Sequence, residues 1–288
     1  MTTPTEEKIR LDDFLPGDTA RTLLIPLWCR ATPCRLNPEA AYDPLAARIL
    51  ARLDCDFRGV PESATEYARL ACLAREYRVD GEVRRFVAAH PAGVIVNLGC
   101  GLSTAAWRVP LADCLWYDLD LPEVVRARQA LLPAEGPRAL IGASLLDPAW
   151  TDAVARQEDP AALFIAAGVF QYFREEELMP ALARLAERFP GGRVRFDATS
   201  ALGLRWANRF VRGAGIRNAE MRFAVDDVQA LARWSPRFRV REEPFFAEVP
   251  RKGLSPITRA CLFVAEHLGR HGMAKWVGID FAEAEGEG

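Results

Sequence analysis

The chain has 288 residues, half of them hydrophobic, and a formal net charge of only −2 at pH 7. Proteins that bind nucleic acid or anionic membranes mainly by electrostatics carry a strong positive charge, so we expect neither partner. The seven cysteines are scattered and form no C-x-x-C pair, which predicts reduced thiols without a disulfide framework or zinc site. No signal-peptide pattern and no apolar run of about 20 residues is present, which predicts a cytoplasmic protein.

Residues 1–92 are predicted to form a helical cap. The apolar segment R-T-L-L-I-P-L-W-C-R contains Pro26, which predicts a helix that is short or kinked. The pair Asp43-Pro44 predicts the start of a second helix, and S-A-T-E at residues 63–66 is a candidate capping box for a third. Asp80 is then predicted to cap a further helix.

Beyond residue 92 the pattern changes to short apolar runs that alternate with amphipathic segments. Five strands are predicted at V-I-V-N-L, C-L-W-Y-D-L-D, R-A-L-I-G-A, A-A-L-F-I-A-A-G and R-V-R-F-D-A. This alternation predicts an α/β fold with a doubly wound, mainly parallel, Rossmann-like sheet. We expect one domain over residues 1–288, with a cofactor-binding core at 93–200 and substrate-covering helices plus closing strands at 201–288.

A glycine-rich turn, Gly99-Cys100-Gly101, directly follows the first predicted strand. Glycine leaves space for a ligand to approach the backbone, and the next helix offers free N–H groups. Asp118 and Asp120 end the second strand, and Asp120 stands 21 positions after Gly99. A carboxylate that binds ribose is expected about 20 positions on. The spacing predicts a nucleoside site, with Asp120 as the first choice for the ribose and Asp118 as the second.

The turn favours S-adenosylmethionine over a dinucleotide. A dinucleotide fingerprint would have a third glycine at position 104, where the chain has Thr104. The turn also has no basic residue before Arg108 that could meet a pyrophosphate. A nicotinamide-dependent oxidoreductase therefore stays as the weaker alternative.

Five ordered motifs carry a family resemblance: V-I-V-N-L-G-C-G-L-S-T, W-Y-D-L-D-L-P-E-V, I-G-A-S-L-L-D, L-F-I-A-A-G-V-F-Q-Y-F and F-P-G-G-R-V-R-F-D. They resemble the leucine carboxyl methyltransferase superfamily, and most closely its bacterial branch of polyketide-type O-methyltransferases, which includes the tetracenomycin enzyme. The resemblance runs from about Thr22 to Phe281. It implies a class I methyltransferase fold and S-adenosylmethionine as the cofactor.

The resemblance also implies roles for individual residues around the cofactor. The two glycines of the turn would line its methionine portion, and an arginine ahead of Asp80, Arg75 in preference to Arg78, would pair with its carboxylate. A serine and a leucine after the third strand would hold adenine, and Asp120 the ribose. The implied cofactor-binding set is Arg75, Gly99, Gly101, Asp118, Asp120, Ser144, Leu145 and Ala167.

Ala167 departs from the family pattern. The family has A-E-G-V after the fourth strand, with the glutamate facing the cofactor, whereas this chain has A-A-G-V. Loss of a charged hydrogen bond would weaken binding by about 1–3 kcal/mol. A cofactor-binding protein without methyl transfer is therefore a second alternative, and we prefer retained transfer with a rearranged contact.

The implied reaction moves a methyl group to a carboxylate or phenolic oxygen of a small, polyketide-like metabolite. Tyr172, Arg205 and Arg209 are the candidate residues of the substrate pocket. His267 and His271 stand four positions apart, but the sequence places no third ligand beside them, so we expect no metal. The acceptor and the oligomeric state are left open.

Overall fold

The computed structural model describes residues 8–10, 13–14, 18–32, 43–54, 62–133, 138–154, 160–213, 219–252, 254–267 and 273–283. Within these ranges, no helix is long and apolar enough to cross a membrane. The same ranges contain no group of three or more His, Cys, Asp or Glu side chains arranged to hold a metal ion. His271 lies outside the described residues.

Seven strands form one sheet: β1 (Val94–Leu98), β2 (Leu115–Asp120), β3 (Arg138–Gly142), β4 (Ala162–Ala166), β5 (Arg193–Ala198), β6 (Phe238–Pro244) and β7 (Lys275–Phe281). Their order is β3-β2-β1-β4-β5-β7-β6. The first five run parallel, and β7 is antiparallel to both of its neighbours. The predicted doubly wound, mainly parallel sheet is confirmed. Because the strand order reverses beside β1, ligands are expected at its carboxyl end.

The helices are α1 (Asp18–Ala31), α2 (Pro44–Arg52), α3 (Glu62–Ala89), α4 (Ala105–Arg108), α5 (Pro122–Leu131), α6 (Glu175–Arg188), α7 (Ala201–Gly213) and α8 (Pro256–His267). Short 3₁₀ helices cover Pro148–Ala153, Phe170–Tyr172 and Val228–Trp234. The first three α-helices precede the sheet in the chain. The division into a cap, a core and a substrate-covering part stays a prediction.

α1 has 14 residues with Pro26 inside, so of the two predicted alternatives, short or kinked, the short helix is excluded. Two helix predictions, at S-A-T-E and at Asp80, are wrong. α3 is one helix of 28 residues that begins at Glu62, so S-A-T-E lies inside its first turns rather than before them. Asp80 lies within this helix and caps nothing, because its carboxylate accepts hydrogen bonds from Arg108 Nη2 at 2.7 Å and Nε at 3.1 Å.

The hydrophobic core lies on both faces of the sheet. Along β1, Val94, Val96 and Leu98 belong to the core layer that includes α6, while Ile95 belongs to the layer that includes α3. A strand covered on both faces buries every side chain, and all five residues of β1 and of β4 are buried. This double burial explains the continuous apolar runs in the sequence.

Replacement of Phe164 tests this core. Its side chain is 0% exposed, and its ring centroid lies 5.0 Å from that of Phe189. We expect Phe164→Ala to lower the free energy of unfolding by about 3–5 kcal/mol, measured by urea denaturation, because it leaves a cavity. Phe263→Ala is the matched control: Phe263 is 61% exposed, so we expect a change within about 0.5 kcal/mol. Equal losses in the two variants would contradict the packing described.

Candidate active site

The glycine-rich turn after β1 has a backbone that requires glycine. Gly99 and Gly101 have φ of 61° and 47°, in the left-handed region that side chains rarely adopt. A Cβ atom at Gly99 would lie 2.5 Å from Val169 Cγ2, and one at Gly101 would lie 2.9 Å from Leu23 Cδ2. The turn is therefore packed against both the loop after β4 and helix α1.

Asp120, at the carboxyl end of β2, lies beside this turn. Its Oδ2 accepts a hydrogen bond from the Gly101 N–H at 2.7 Å, and its Oδ1 accepts one from the Leu121 N–H at 2.8 Å. Burial raises the pKa of the Asp120 carboxyl, although these two N–H groups act in the opposite direction. Each oxygen keeps acceptor capacity, because a carboxylate can accept about four hydrogen bonds. This partly buried carboxylate can therefore bind the two hydroxyls of a ribose.

The environment of Asp118 differs from that of Asp120. Its contacts indicate that Asp118 stabilises the turn rather than binds the ribose. It is 1% exposed, and its Oδ1 accepts from Asn97 Nδ2 and Trp116 Nε1, both at 2.9 Å. Its Oδ2 is paired with Arg128. Arg128 Nη1 in turn donates to the carbonyl oxygens of Gly101 at 2.6 Å and Ser103 at 3.0 Å. Asp118 thus positions the backbone of the turn indirectly, by holding Arg128.

A cavity of about 230 Å³ opens next to the turn. Its walls come from α1, α3, the turn, the loop after β4 and α7. The sequence predicted Arg75, Gly99, Gly101, Ala167 and Tyr172 near a ligand, and the structure brings these five together in the cavity wall. The other described residues of the wall are Thr22, Leu23, Ile25, Pro26, Arg30, Ala71, Cys72, Glu76, Val79, Asn97, Cys100, Leu102, Ser103, Gly168, Gln171, Ala207, Phe210, Val211 and Met221.

Arg75 is held in the wall by Asp197, a residue that the sequence analysis did not select. Arg75 Nη2 donates to Asp197 Oδ2 at 2.8 Å, and Asp197 Oδ1 accepts from the Gly168 N–H at 2.6 Å. Burial lowers the pKa of Arg75, but the charge and hydrogen bond of Asp197, together with the charges of Cys72 and Glu76, outweigh burial and raise the pKa overall, so the side chain is a cation. Arg75 Nε is buried and has no hydrogen-bond partner among the described residues, so the protein leaves one donor of this guanidinium unsatisfied. The position of Asp197 at the carboxyl end of β5 was the signal that could have identified it.

Ser144 and Leu145 follow β3, next to the end of β2. The Ala143 N–H donates to the Asp120 carbonyl at 2.9 Å, which keeps this segment close to the ribose candidate. Ser144 is partly buried, and its Oγ accepts from the Leu146 N–H at 3.2 Å. The Leu145 side chain instead packs in the core layer with α6. Of the two, Ser144 is the better placed to offer a side chain to an adenine.

Arg205 and Arg209 lie on the outer face of α7. Both side chains are exposed, and α7 contributes Ala207, Phe210 and Val211 to the cavity instead. The structure therefore does not bring the two arginines into the substrate pocket. Their helical spacing was predicted correctly, but which face of α7 packs inward depends on its tertiary neighbours.

The residues present fit S-adenosylmethionine. The turn admits no Cβ atom and can meet a ligand with bare backbone. A partly buried carboxylate with acceptor capacity, Asp120, binds the turn where a ribose is expected, although it is not among the described residues of the cavity wall. Arg75, whose Nε has no partner among the described residues, lies in that wall. These two groups complement the ribose hydroxyls and the methionine carboxylate of that cofactor.

Removing the charge of Asp118 tests the buried ion pair. We expect Asp118→Asn to lower the free energy of unfolding by about 3–5 kcal/mol, because it leaves the Arg128 guanidinium buried without a counter-charge. Asp152→Asn is the matched control, since Asp152 pairs with Arg188 at 3.0 Å on the surface and should contribute at most about 1 kcal/mol. Urea denaturation measures both, and a loss in Asp118→Asn no larger than in the control would contradict the role assigned here.

Comparisons with known proteins show the family of the chain. The family model for leucine carboxyl methyltransferase matches residues 24–186, more than half of the chain. The tetracenomycin polyketide synthesis O-methyltransferase TcmP of Streptomyces glaucescens is 32% identical over 247 residues, which cover 81% of this chain and 89% of that protein.

Two solved structures support the fold. A duf574 family protein of Streptomyces avermitilis has a TM-score of 0.56 at 14% identity, covering 91% of this chain and 97% of its own. A candidate methyltransferase of Thermobifida fusca has a TM-score of 0.52 at 16% identity, covering 89% and 94%. The family match and the similarity to TcmP confirm the predicted class of enzyme, an S-adenosylmethionine-dependent O-methyltransferase: the chain belongs to the leucine carboxyl methyltransferase family.

Proposed function

We propose that this enzyme methylates a carboxylate or phenolic oxygen of a small, largely apolar metabolite of the polyketide type. The observation that carries the proposal is the composition of the cavity. The glycine-rich turn that would meet the cofactor forms part of the wall, and the residues that α1 and α7 contribute to it are mainly apolar. The relative TcmP acts in tetracenomycin polyketide synthesis, which supports an acceptor of that class.

The cofactor would lie across the carboxyl ends of β1, β2 and β3. Asp120 would accept hydrogen bonds from the ribose hydroxyls, and Ser144 and the Leu145 backbone would lie beside the adenine. Arg75 would pair with the carboxylate of the methionine portion. Gly99 and Gly101 would let the sulfonium approach the backbone without a side chain between them.

The acceptor would occupy the apolar part of the cavity. Its described walls include Ile25 and Pro26 of α1 and Phe210 of α7, which suit a flat, apolar ring system. Gln171 and Tyr172 add uncharged polar groups at the same level of the sheet. Burial raises the pKa of Tyr172, so its hydroxyl stays protonated at neutral pH and can donate a hydrogen bond to the acceptor.

The cofactor supplies a methyl group already activated by its sulfonium. The residues of the chain then have to align the acceptor oxygen with the methyl–sulfur bond and exclude water. A carboxylate acceptor is ionised at neutral pH and needs no base. The described residues of the cavity wall include no histidine, and this favours the carboxylate over the phenol.

We also infer that the enzyme works in a reducing compartment, the cytoplasm. The described cysteines Cys29, Cys72, Cys100 and Cys114 are buried and form no disulfide bond. Free buried thiols are typical of proteins in the reducing cytoplasm, where disulfides do not persist.

A product assay tests the acceptor class. The enzyme is incubated with S-adenosylmethionine and a panel of aromatic carboxylic acids and phenols, matched in ring system. Mass spectrometry detects the methylated product, and treatment with hydroxide separates a methyl ester, which is cleaved, from a methyl ether, which is not. We expect an ester from at least one carboxylic acid, and cofactor binding without any product would contradict the proposal.

Asp120→Ala tests the ribose assignment. We expect the affinity for S-adenosylhomocysteine, measured by calorimetry, to fall by at least about tenfold, because hydrogen bonds to a charged group contribute about 1.5–3 kcal/mol. Asp113→Ala is the matched control, since Asp113 is an exposed carboxylate just before the amino end of the same strand, β2. The control should bind like the wild type. An unchanged affinity of Asp120→Ala would show that the ribose lies elsewhere.

A further inference from the structure

The charged side chains of the cavity wall differ in how far they are free to bind a ligand. Among the described lining residues, three carry charge: Arg30, Arg75 and Glu76. Arg30 is 4% exposed and donates through Nη2 to the Leu102 carbonyl at 2.8 Å, which ties it to the turn. Glu76 is the one carboxylate among the described residues of the wall, and it follows Arg75 directly on α3.

Glu76 is ionised and retains acceptor capacity towards the cavity. Its Oε2 is paired with Arg108, whereas its Oε1 lies 3.5 Å from Arg30 Nη1, at the outer limit of a hydrogen bond. Burial raises the pKa of Glu76, but the charges of Arg108 and Arg30 outweigh it and hold the pKa below its ordinary value. The side chain is 16% exposed and lines the cavity, so we take Oε1 as the acceptor that it offers to a ligand.

The charges around Glu76 are not balanced, because the carboxylates outnumber the buried guanidinium groups by one. Two guanidinium groups, Arg30 and Arg108, lie among three carboxylates, Asp43, Glu76 and Asp80. A further arginine, Arg84, approaches Asp80 only at 3.8 Å and is 57% exposed, so solvent screens its charge. The interior part of the cluster therefore carries an excess of negative charge that a ligand cation would neutralise.

The methionine portion of S-adenosylmethionine carries a carboxylate and an ammonium on the same carbon. Arg75 and Glu76 place the two complementary charges on consecutive residues of one helix. The loop after β4 offers no side-chain acceptor at Ala167, which lines the same cavity. We propose that Glu76 binds the ammonium group of the cofactor, while Arg75 binds its carboxylate; this inference rests on the proposed function.

Calorimetry with three ligands tests the assignment: S-adenosylhomocysteine, its analogue without the amino group, and its analogue without the carboxylate. Glu76→Gln keeps the size of the side chain and removes its charge. We expect it to weaken binding of the two amino-bearing ligands by about ten- to hundredfold. The analogue without the amino group should bind the variant and the wild type within about twofold, because it offers nothing for Glu76 to bind.

Two further variants serve as matched controls. Asp80→Asn removes the same charge from the same buried cluster, but Asp80 does not line the cavity; we expect it to affect the three ligands equally. Arg75→Gln should give the mirror pattern, with weakened binding of the two ligands that carry a carboxylate. If a thermal unfolding control shows that Glu76→Gln does not fold, Glu76→Asp replaces it. This variant keeps the charge but shortens the side chain by one methylene. It should weaken binding of the same two amino-bearing ligands, by a smaller factor.

The possible outcomes separate this inference from the proposed function. If Glu76→Gln weakens the binding of all three ligands equally, the inference about Glu76 is wrong, since Glu76 would then support only the packing of the wall. Unchanged binding of S-adenosylhomocysteine would overturn it as well. Failure of the wild type to bind any of the three ligands would instead refute the cofactor assignment itself.

Discussion

The buried ion pair between Asp118 and Arg128 is the interaction on which the site depends. It joins β2 to α5, and through two carbonyl oxygens of the turn it fixes the backbone that would meet the cofactor. A buried ion pair is costly to desolvate unless further hydrogen bonds satisfy its groups. Asn97 and Trp116 supply those bonds to Asp118, so the charge pair and the strand ends form one rigid support.

A second polar cluster attaches the helical N-terminal part to the same turn. Arg30 of α1 donates to the Leu102 carbonyl, and Thr104 Oγ1 donates to Asp43 Oδ2 at 2.5 Å. Arg108 of α4 pairs with Glu76 and Asp80 of α3. The helices before the sheet therefore form part of the cavity wall itself. Because the same helices contact the turn and line the cavity proposed for the acceptor, we expect changes there to affect cofactor binding and substrate choice together.

The sequence predicted the strands better than the helix boundaries, and the structure explains why. Strands buried on both faces have continuous apolar runs, which are visible without any knowledge of their neighbours. Asp80 has the residue type of a helix cap, yet its partner is Arg108, 28 positions away. Pro26 likewise lies inside α1, whose buried Leu27 and Cys29 pack within the protein. Tertiary contacts outweighed local preference at both positions.

What the sequence determined by itself is the local geometry: strand, glycine turn, and an acidic residue at the end of the next strand. Turn geometry and strand ends depend on residues close together in the chain, so their spacing predicted Gly99, Gly101 and Asp120. The tertiary structure alone decided which side chains enter the cavity. Asp197 holds Arg75 across 122 positions, and Glu76 faces the cavity while Arg205 faces solvent, because the inward face of a helix is chosen by partners distant in sequence.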